Sequence, residues 1–346
     1  FPLSITQMTQ PQRLAKDPVN RAQTTAPLDP RALADLLAPE MTAVEERLYA
    51  TLESREPRLT EIGHYLIGAG GKRVRPMVAM AVFRACGGAD PHDMVDVSVA
   101  LELIHSATLL HDDIIDGGEV RRGRPSAYVQ YGPADSLVAG DFLFSKAFEL
   151  CGRFEEKIVR WAAEACIALT EGEIMQGRFR RNREVTVADY REIILRKTAC
   201  IFQQGARVAA YLAGSEQGTV DALARCGRSI GMAFQVVDDL LDVAGATAQT
   251  GKPVGIDVRD GNPSLPIVLA MRPGSELERV WLSADPTGPE IAAALEEITA
   301  SGVLAEVRRE ALAYTEAAAA ELAVLPENGY RACLEMLVRE LAERAL

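Results

Sequence analysis

The stretch VSVALELIHSATLLHDDIID, residues 97–116, runs from an apolar segment into three aspartates. Its apolar residues recur at the three- and four-residue spacing of a buried helix, without the alternation typical of a strand. On a helix, Asp116 lies about 40° from Asp112, and His105 lies within about 20° of Asp112. The stretch therefore predicts a core helix that carries two carboxylates and a histidine on one face, with Asp113 beside them.

The charges of this helix point to a bound cation. Two carboxylates about 6 Å apart repel each other by roughly 3 kcal/mol at an effective dielectric constant near 20. A solvated acidic helix end would avoid this cost, but the preceding turns are apolar, and the helix dipole disfavours anions at a C-terminus. Oxygen ligands suit a hard ion, and Mg²⁺ commonly takes one or two carboxylates together with substrate phosphate oxygens. The cluster is therefore interpreted as part of a magnesium site.

A second stretch, GMAFQVVDDLLD at residues 231–242, repeats the pattern. Asp238 and Asp242 share a helix face, Asp239 flanks them, and Gln235 lies within about 20° of Asp242. As in the first stretch, an apolar helix leads into the cluster and a glycine-containing loop follows it. Two such clusters facing each other across a helical bundle predict a clamp of several metal ions for a polyphosphate.

The rest of the chain predicts an all-α fold, with one large helical bundle around a central cavity. Residues 1–29 are polar and punctuated by proline, as in a loose leader, and residues 30–346 are expected to form the helical domain. The predicted helices lie near residues 31–53, 58–68, 74–86, 92–116, 133–151, 155–180, 187–213 and 218–244, with more from about 263 onward. The break at 245–263 is long, which favours a binding loop.

Composition limits the function. The net charge of −12, from 37 basic and 49 acidic residues, argues against a general nucleic-acid binder. The six cysteines include no CxxC pair, as expected for reduced thiols in a cytoplasmic protein. We also expect no membrane span, since no apolar run reaches the required length, and no signal peptide.

Basic residues offer a second way to bind diphosphate, directly through arginine and lysine. The segment GGKRVRP, residues 70–76, places them at a glycine-rich helix start, without the spacing of a P-loop. The basic candidates and one polar neighbour are Lys72, Arg73, Arg75, Arg121, Arg122, Lys197, Thr198 and Lys252. Each cation alone is typical of a protein surface, but beside two acidic clusters they predict a site for two diphosphates.

These motifs, in this order, resemble the trans-isoprenyl diphosphate synthase (polyprenyl synthase) family, whose members have the isoprenoid synthase fold. The resemblance covers roughly residues 60–270 and rests on GGKRVRP, LLHDDIIDGGEVRRGRPS, AGDFLFSKAF, KTA, GMAFQVVDDLLD and GKPVGIDVRDGNPSLP. It implies a prenyltransferase that condenses isopentenyl diphosphate with an allylic diphosphate and uses three Mg²⁺ ions. Family members are typically homodimers, so the resemblance implies a homodimer as well.

The resemblance also assigns roles to individual residues. The aspartates that would hold Mg²⁺ on the allylic diphosphate are Asp112, Asp116 and Asp238. Those that would support them are Asp113, Asp239 and Asp242. The cations that would contact the same diphosphate are Arg121, Lys197 and Lys252. The residues that would bind isopentenyl diphosphate are Lys72, Arg75, His105 and Arg122. Those that would line the reacting centre are Thr198 and Gln235.

Product length depends in this family partly on the bulk just before the first cluster. Ala107 and Thr108 are small there, and the cluster lacks the insertion common in some shorter-chain bacterial enzymes. The resemblance therefore predicts an open channel and a long all-trans product of about 30 to 40 carbons. A short-chain farnesyl or geranylgeranyl synthase is the alternative, if another residue blocks the channel. The chain departs from the family at Asn262, where many members carry lysine.

Two other functions stay open from the sequence. A class I terpene cyclase shares the fold and the first cluster, but it usually carries a different second metal motif and has no isopentenyl diphosphate site. A regulatory subunit of a heteromeric prenyltransferase typically lacks one or both aspartate clusters, and both are intact here. The motifs favour the synthase.

Overall fold

Helices provide nearly all the regular structure in this computed structural model, which describes residues 30–245 and 254–345. The longer helices are α1 (Pro30–Thr51), α2 (Pro57–Ile67), α3 (Val74–Ala85), α4 (His92–Ile115), α6 (Pro133–Cys151), α7 (Glu156–Phe179), α9 (Cys200–Leu212), α10 (Gln217–Ala244), α14 (Gly288–Ala300), α15 (Leu304–Glu321) and α16 (Gly329–Ala345). The shorter ones are α5 (Ala127–Tyr131), α8 (Val187–Ile194), α11 (Ile256–Asp260), α12 (Leu265–Ala270) and α13 (Glu276–Trp281). The all-α prediction is confirmed.

The centre of the bundle is formed by α3, α4, α9 and α10. Helix α10 packs against α9 and α15, α3 packs against α9 and α4, and α4 packs against α6. Glycine permits the closest approach of α10 to α9, because a Cβ atom added at Gly227 would lie 2.4 Å from the carbonyl oxygen of Phe202. Apolar residues form two clusters, and the second half of α10 belongs to the one that continues into the C-terminal helices.

The predicted helix at residues 187–213 is interrupted. Residues Leu195–Ala199 form one π-helical turn between α8 and α9, and this turn contains Lys197 and Thr198. Gly172 of α7 makes room for it, because a Cβ atom there would lie 2.6 Å from the backbone nitrogen of Lys197. Such turns occur frequently at functional sites. Helical periodicity does not reveal the turn, since the apolar pattern continues through it.

A short hairpin follows the first aspartate cluster, where no strand was predicted. Strands β1 (Val120–Arg121) and β2 (Arg124–Pro125) pair in antiparallel orientation. The two turn residues, Arg122 and Gly123, both have positive φ angles, of 53° and 78°. Two-residue hairpins favour such turns, because their twist matches that of the paired strands. The hairpin therefore fixes the backbone that carries Arg121 and Arg122.

The predicted break at residues 245–263 contains helix α11. This helix lies between Gly255 and Gly261, which both have left-handed backbone conformations. The side chain of Asp242 accepts hydrogen bonds of 3.1 and 3.0 Å from the first two backbone N–H groups of α11. A carboxylate in this position satisfies helix-end donors that have no partner within the helix. The second aspartate cluster and the segment that follows it are thereby tied together.

Among the described residues, α4 alone is long and apolar enough to cross a membrane. The expectation that no apolar run reaches that length was therefore wrong. Within the bundle, however, 78% of its most apolar window is buried. Packing against α3 and α6 accounts for this apolar composition, as in the core helix of a globular protein.

Candidate active site

The first aspartate cluster lies at the C-terminal end of α4. Asp113 is buried and accepts hydrogen bonds from Nη2 and Nε of Arg121, at 2.5 and 3.1 Å. Its Oδ2 atom is buried without a hydrogen-bond partner. Asp116 caps the helix end and forms an ion pair with Arg180, which follows α7. The loop after the cluster thus holds Asp113, while Asp116 faces a cation from a distant part of the chain.

Asp112 meets the π-helical turn. Its Oδ1 lies 3.6 Å from Nζ of Lys197, and Lys197 also forms an ion pair with Glu173 of α7. Burial raises the pKa of Asp112 to about 6, although Lys197 opposes this effect. Burial by itself lowers the pKa of Lys197, but Asp112 and Glu173 outweigh it, so that the pKa is raised. Lys197 therefore stays charged between carboxylates of two helices.

The second aspartate cluster, at the end of α10, is held mainly by neutral groups. Asp239 is buried and accepts hydrogen bonds from the Tyr190 hydroxyl at 2.7 Å, the Gln235 amide at 2.9 Å and the Leu265 backbone N–H at 3.2 Å. Burial raises the pKa of Asp239 to about 7, and the hydrogen bonds oppose that rise. This carboxylate is therefore fixed in place by the surrounding fold.

The outer members of the second cluster contact the C-terminal half of the chain. Asp238 Oδ1 lies 3.7 Å from Nη2 of Arg344 in α16. Asp242 caps α11, which carries Asp257. Burial, reinforced by the charge of Asp242, raises the pKa of Asp257 well above its ordinary value. Several carboxylates thus gather where α10 ends, and a cation there would relieve their mutual repulsion.

A cavity of about 140 Å³ lies beside the second cluster, and its lining includes Lys197, Thr198, Gln235 and Asp239. The Thr198 hydroxyl donates a 2.8 Å hydrogen bond to Gln235, whose amide donates to Asp239. Lys197 reaches the first cluster through Asp112. Two consecutive residues of the π-helical turn therefore contact both clusters, directly or through Gln235. The two residues predicted for the reacting centre, Thr198 and Gln235, line the same cavity as Lys197.

The residues predicted to bind a second diphosphate gather around the start of α3. Burial, reinforced by Arg75 and Arg122, lowers the pKa of His105 well below its ordinary value, so the imidazole is neutral. Arg75 is half-buried, and its guanidinium lies 5.1 Å from the centre of an aromatic ring of α9. Gly71 allows Arg122 to approach, because an added Cβ would lie 3.1 Å from its Nη1. Lys72, beside them in sequence, is exposed.

Arg73 differs from its basic neighbours. It is buried, with a left-handed φ of 48°. Its guanidinium donates two 3.0 Å hydrogen bonds to Glu45 and one to Glu102, also at 3.0 Å. A buried arginine with two carboxylate partners ties elements together. Arg73 therefore joins α1 and α4 to the start of α3.

The chain-length candidates lie away from the 140 Å³ cavity, whose lining includes neither of them. Ala107 is fully buried in the larger apolar cluster. Thr108 is half-buried and donates a 2.7 Å hydrogen bond to the carbonyl oxygen of His105. Lys252, a predicted diphosphate contact, lies outside the described residues.

Sequence reasoning missed three residues, Glu173, Arg180 and Tyr190, that each contact a predicted site residue. A lysine in an apolar helical stretch needs an acidic partner, so Lys197 was a signal for an acid such as Glu173. No local pattern marks the other two, because their partners are distant in sequence. Asn262, where the resemblance expects lysine, accepts a 3.2 Å hydrogen bond from Nε of Arg180 and lines the cavity.

The acidic residues fit a divalent cation. They offer only oxygen ligands, and one buried oxygen of Asp113 has no hydrogen-bond partner. Within the described ranges, no three acidic, histidine or cysteine side chains are placed to hold a metal ion by themselves. Mg²⁺ commonly completes its shell with phosphate oxygens. The carboxylates therefore suit ions that are held jointly with a diphosphate.

Comparison with known proteins agrees with this chemistry. The family model for polyprenyl synthetase matches residues 56–298. An octaprenyl diphosphate synthase from Haemophilus influenzae is 38% identical over 241 residues, which cover 69% of this chain and 73% of that protein. A short chain isoprenyl diphosphate synthase from Methanothermobacter thermautotrophicus is 36% identical over 319 residues, which cover 90% of this chain and 98% of that protein. The relatives thus differ in product length.

A solved structure supports the same family. The crystal structure of a polyprenyl synthase from Caulobacter crescentus CB15, complexed with calcium and isoprenyl diphosphate, is 36% identical in sequence. It superposes with a TM-score of 0.86 and covers 91% of this chain and 97% of that one. The isoprenoid synthase fold predicted from the sequence is therefore confirmed. The chain belongs to the polyprenyl synthetase family and is a prenyltransferase that makes prenyl diphosphates.

Proposed function

We propose that this protein is a Mg²⁺-dependent trans-polyprenyl diphosphate synthase that condenses isopentenyl diphosphate with an allylic diphosphate. The observation that carries the proposal is a cavity whose lining includes Asp239 of the second cluster and Lys197, which pairs with Asp112 of the first. Lys197 contacts the first cluster, and Thr198 contacts the second through Gln235. A diphosphate in this cavity would be within reach of carboxylates from both α4 and α10.

The partners of the six aspartates support an assignment of roles. Three aspartates are held by the fold around them. Asp113 is bonded to the hairpin that follows it, Asp239 to buried neutral donors, and Asp242 to backbone N–H groups. Among these, Asp113 pairs with Arg121, but its side chain is only 1% exposed. The three that pair with a long basic side chain and are 18% to 41% exposed are Asp112, Asp116 and Asp238. A metal ion can replace a flexible basic side chain more easily than a buried hydrogen-bond network. We therefore assign three Mg²⁺ ions to the second group.

The reaction breaks the allylic C–O bond and forms a carbon–carbon bond to the isopentenyl double bond, after which a proton passes to the released diphosphate. Bound Mg²⁺ would supply the positive charge that makes diphosphate a good leaving group. Lys197 adds a positive charge at the cavity, where Asp112 and Glu173 hold it in place. Arg75 and Arg122, with Lys72 and the neutral His105, would hold the diphosphate of the isopentenyl substrate without metal.

For the product we propose a long chain of about 30 to 40 carbons, supported by the small side chains at positions 107 and 108. One observation favours the short-chain alternative: Ala107 is fully buried in the apolar core. Likeness to both an octaprenyl and a short chain synthase leaves the choice to experiment.

The test is incorporation of labelled isopentenyl diphosphate with Mg²⁺ and, separately, dimethylallyl, geranyl, farnesyl and geranylgeranyl diphosphate. Products would be dephosphorylated and sized, with a chelator and an Asp238→Asn variant as controls. Chains of about thirty carbons or more would agree with the whole proposal, and chains of about fifteen or twenty would refute only the length. No incorporation by folded protein with any primer would refute the synthase and favour a cyclase or a regulatory subunit.

We also propose a homodimer. Helices α6 and α7 carry large apolar side chains that are 41% to 72% exposed, namely Leu137, Val138, Phe148, Ile167 and Ile174. Exposed apolar surface of this kind favours a protein interface. Light scattering is expected to give twice the mass of one chain, and Ile174→Glu is expected to give monomers. A single-chain mass for the wild type would refute the dimer.

For the location we propose the cytoplasm, since the described residues contain no disulfide bond. Cell fractionation would test this, and recovery of the protein in a membrane or extracellular fraction would refute it.

A further inference from the structure

Arg180 connects the first aspartate cluster to the segment that follows the second. Its Nη2 forms an ion pair with Oδ1 of Asp116, and its Nε donates a 3.2 Å hydrogen bond to Oδ1 of Asn262. Asn262 is buried and lines the 140 Å³ cavity beside the second cluster. The side chains of Arg180 and Asp116 are each 25% exposed. The guanidinium thus lies beside a residue of the cavity lining, held on one side by the neutral amide of Asn262 and on the other by the carboxylate of Asp116.

The backbone beside Arg180 is firmly anchored. The N–H of Arg181 donates a 2.9 Å hydrogen bond to the carbonyl oxygen of Gly261. The guanidinium of Arg181 donates 2.8 Å hydrogen bonds to the carbonyl oxygens of Trp281 and Arg259. Arg181 also has a left-handed φ of 53°, a conformation that costs energy in a residue other than glycine and persists where surrounding contacts enforce it. The end of α7 and the segment carrying Asn262 are therefore held together.

The neighbouring arginines have other partners. Arg178 stacks on the ring of Phe179 at 4.8 Å, and Arg183 lies 3.5 Å from Glu278. Arg181 binds backbone carbonyl groups. Of the basic run at residues 178–183, Arg180 is the member that contacts a carboxylate of the aspartate clusters.

The two contacts of the Arg180 side chain differ in whether they can be exchanged for a ligand. The Nε–Asn262 hydrogen bond is made to a neutral group that has no charge to exchange. The Nη2–Asp116 ion pair is made to a carboxylate that, under the proposed function, takes a metal ion. When Asp116 binds that ion, both Nη groups become available for ligands near the cavity while Nε stays held. A guanidinium offers parallel N–H donors that match the oxygens of a phosphate.

We propose that Arg180 is a diphosphate-binding residue: it is the counter-ion of Asp116 in the free enzyme and moves onto the diphosphate, oriented by Asn262, when metal and substrate bind. The inference rests on the proposed function. It makes two opposite predictions for one substitution. Removal of the guanidinium removes a competitor for Asp116, which helps metal binding, and also removes a ligand for the diphosphate, which weakens substrate binding.

The test is isothermal titration calorimetry with Mg²⁺ and inorganic pyrophosphate, on the wild type, Arg180→Gln and the matched control Arg178→Gln. For Arg180→Gln we expect the Kd of pyrophosphate at saturating Mg²⁺ to rise about tenfold, as for the loss of a charge-assisted contact. We expect its half-saturating Mg²⁺ concentration to fall about twofold to threefold, since Asp116 is unpaired. Arg178→Gln should stay within about twofold of the wild type in both measurements.

Two further variants sharpen the result. Asn262→Ala should raise the Kd of pyrophosphate about threefold and leave the Mg²⁺ requirement unchanged, because it removes the orienting hydrogen bond and keeps the ion pair. Arg180→Lys should restore part of the affinity, since it keeps the charge but cannot bond to Asn262 in the same way. In turnover, the KM for the allylic diphosphate should rise in Arg180→Gln more than kcat falls.

Several outcomes would overturn the inference. An unchanged pyrophosphate affinity in Arg180→Gln would make the ion pair purely structural, as would a joint weakening of metal and pyrophosphate binding with a lowered melting temperature. If the wild type binds Mg²⁺ and pyrophosphate and elongates prenyl chains, these results refute the role of Arg180 alone. If the wild type does neither, the proposed function fails and this inference fails with it.

Discussion

The two aspartate clusters have the same spacing but are neutralised by different means. The first, at the end of α4, is surrounded by side-chain cations: Arg121 on Asp113, Lys197 on Asp112 and Arg180 on Asp116. In the second, at the end of α10, the middle aspartate is held by a tyrosine hydroxyl, a glutamine amide and a backbone N–H. Its last aspartate caps a helix.

This difference shows how the same aspartate spacing can provide exchangeable ligands in one cluster and fixed carboxylates in the other. Ion pairs with long basic side chains can be exchanged for a metal ion or a substrate, because the cations have several rotamers and remain partly exposed. Hydrogen bonds from buried neutral groups cannot be exchanged without exposing unsatisfied polar atoms. We therefore interpret the first cluster as the adjustable half of the site, and the second as the fixed half except at Asp238, which pairs with Arg344.

The largest effect is expected on catalysis. Asp112→Asn and Asp238→Asn each remove one carboxylate assigned to metal binding, one from each cluster. We expect kcat to fall about 1000-fold in both variants, which corresponds to roughly 4 kcal/mol in the activation barrier. Labelled isopentenyl diphosphate incorporation would measure the loss, with melting curves to show that the variants fold. If the activity of Asp238→Asn stayed within about tenfold of the wild type, the metal assignment to Asp238 would be wrong, because the second cluster would then hold no essential metal.

Gly172→Ala tests how the first cluster depends on the π-helical turn. An added Cβ would lie 2.6 Å from the backbone nitrogen of Lys197, so the turn must shift. We expect a loss of about 2 kcal/mol in the free energy of unfolding and a drop of about tenfold in kcat. Gly177→Ala is the matched control on the same helix, since its added Cβ meets nothing within 4 Å. It should be neutral or slightly stabilising in urea unfolding. Equal behaviour of the two variants would contradict the argument.

Buried aspartates of the two clusters are expected to differ in what their partners contribute to stability. Arg121→Met leaves Asp113, whose side chain is 1% exposed, without its cation. We expect a loss of about 2 kcal/mol in the free energy of unfolding, below the range for fully buried pairs because Arg121 is itself 30% exposed. Tyr190→Phe leaves Asp239 two other donors and should cost about 1 kcal/mol.

Denaturant unfolding would measure both changes. Tyr314→Phe is the control for the lost hydroxyl, because the Tyr314 hydroxyl makes a longer bond, 3.4 Å, to Glu310. If Tyr190→Phe lowered the free energy of unfolding more than Arg121→Met, the predicted difference between the two clusters would be wrong.

The smallest effect concerns pH. Helix α4 carries His105 before its cluster, whereas α10 contains no histidine. The pKa of His105 is lowered well below its ordinary value by burial and by nearby arginines. Below about pH 6.5 the unfolded chain therefore binds a proton that the folded protein does not, and stability falls as the pH falls. Relative to His105→Asn, the free energy of unfolding of the wild type should fall by about 1 kcal/mol between about pH 6.5 and 5.5.

Melting curves at several pH values would measure this difference, with His92→Asn, at the exposed start of α4, as the control expected to follow the wild type. If the melting temperatures of the wild type and His105→Asn change equally with pH, the histidine binds its proton equally in the folded and unfolded states, which would contradict the prediction.

Much of the fold followed from periodicity. Helices α1 to α4, α6, α7 and α10 begin and end within a few residues of their predicted bounds, because each buries an apolar stripe whose spacing is visible in the sequence. Helix α5 was not predicted, and α8 and α9 were predicted as one helix. The exceptions are local. The hairpin after the first cluster has two-residue strands, which are too short to show alternation. Helix α11 has five residues and depends on Asp242 for its cap.

The candidate site was predictable to a similar degree. Lys197, Thr198 and Gln235 were chosen for their motifs, and they lie around one cavity. Their roles, and those of the basic residues near α3, stay predictions. Lys197 indicated an acidic partner such as Glu173. Arg180 and Tyr190 could not be chosen, since a single charged or hydroxyl side chain has no pattern until its neighbours in space are known.

The sequence by itself determined the helical bundle, the two acidic clusters and the family, because apolar spacing and closely spaced charges are local properties of a chain. Only the tertiary structure decided which aspartates face exchangeable cations and which are fixed by the fold. It also brought Arg180 to Asp116, and Asn262 to Arg180, from positions far along the chain. Such contacts depend on how helices cross and how loops return, and these are set by packing over the whole molecule.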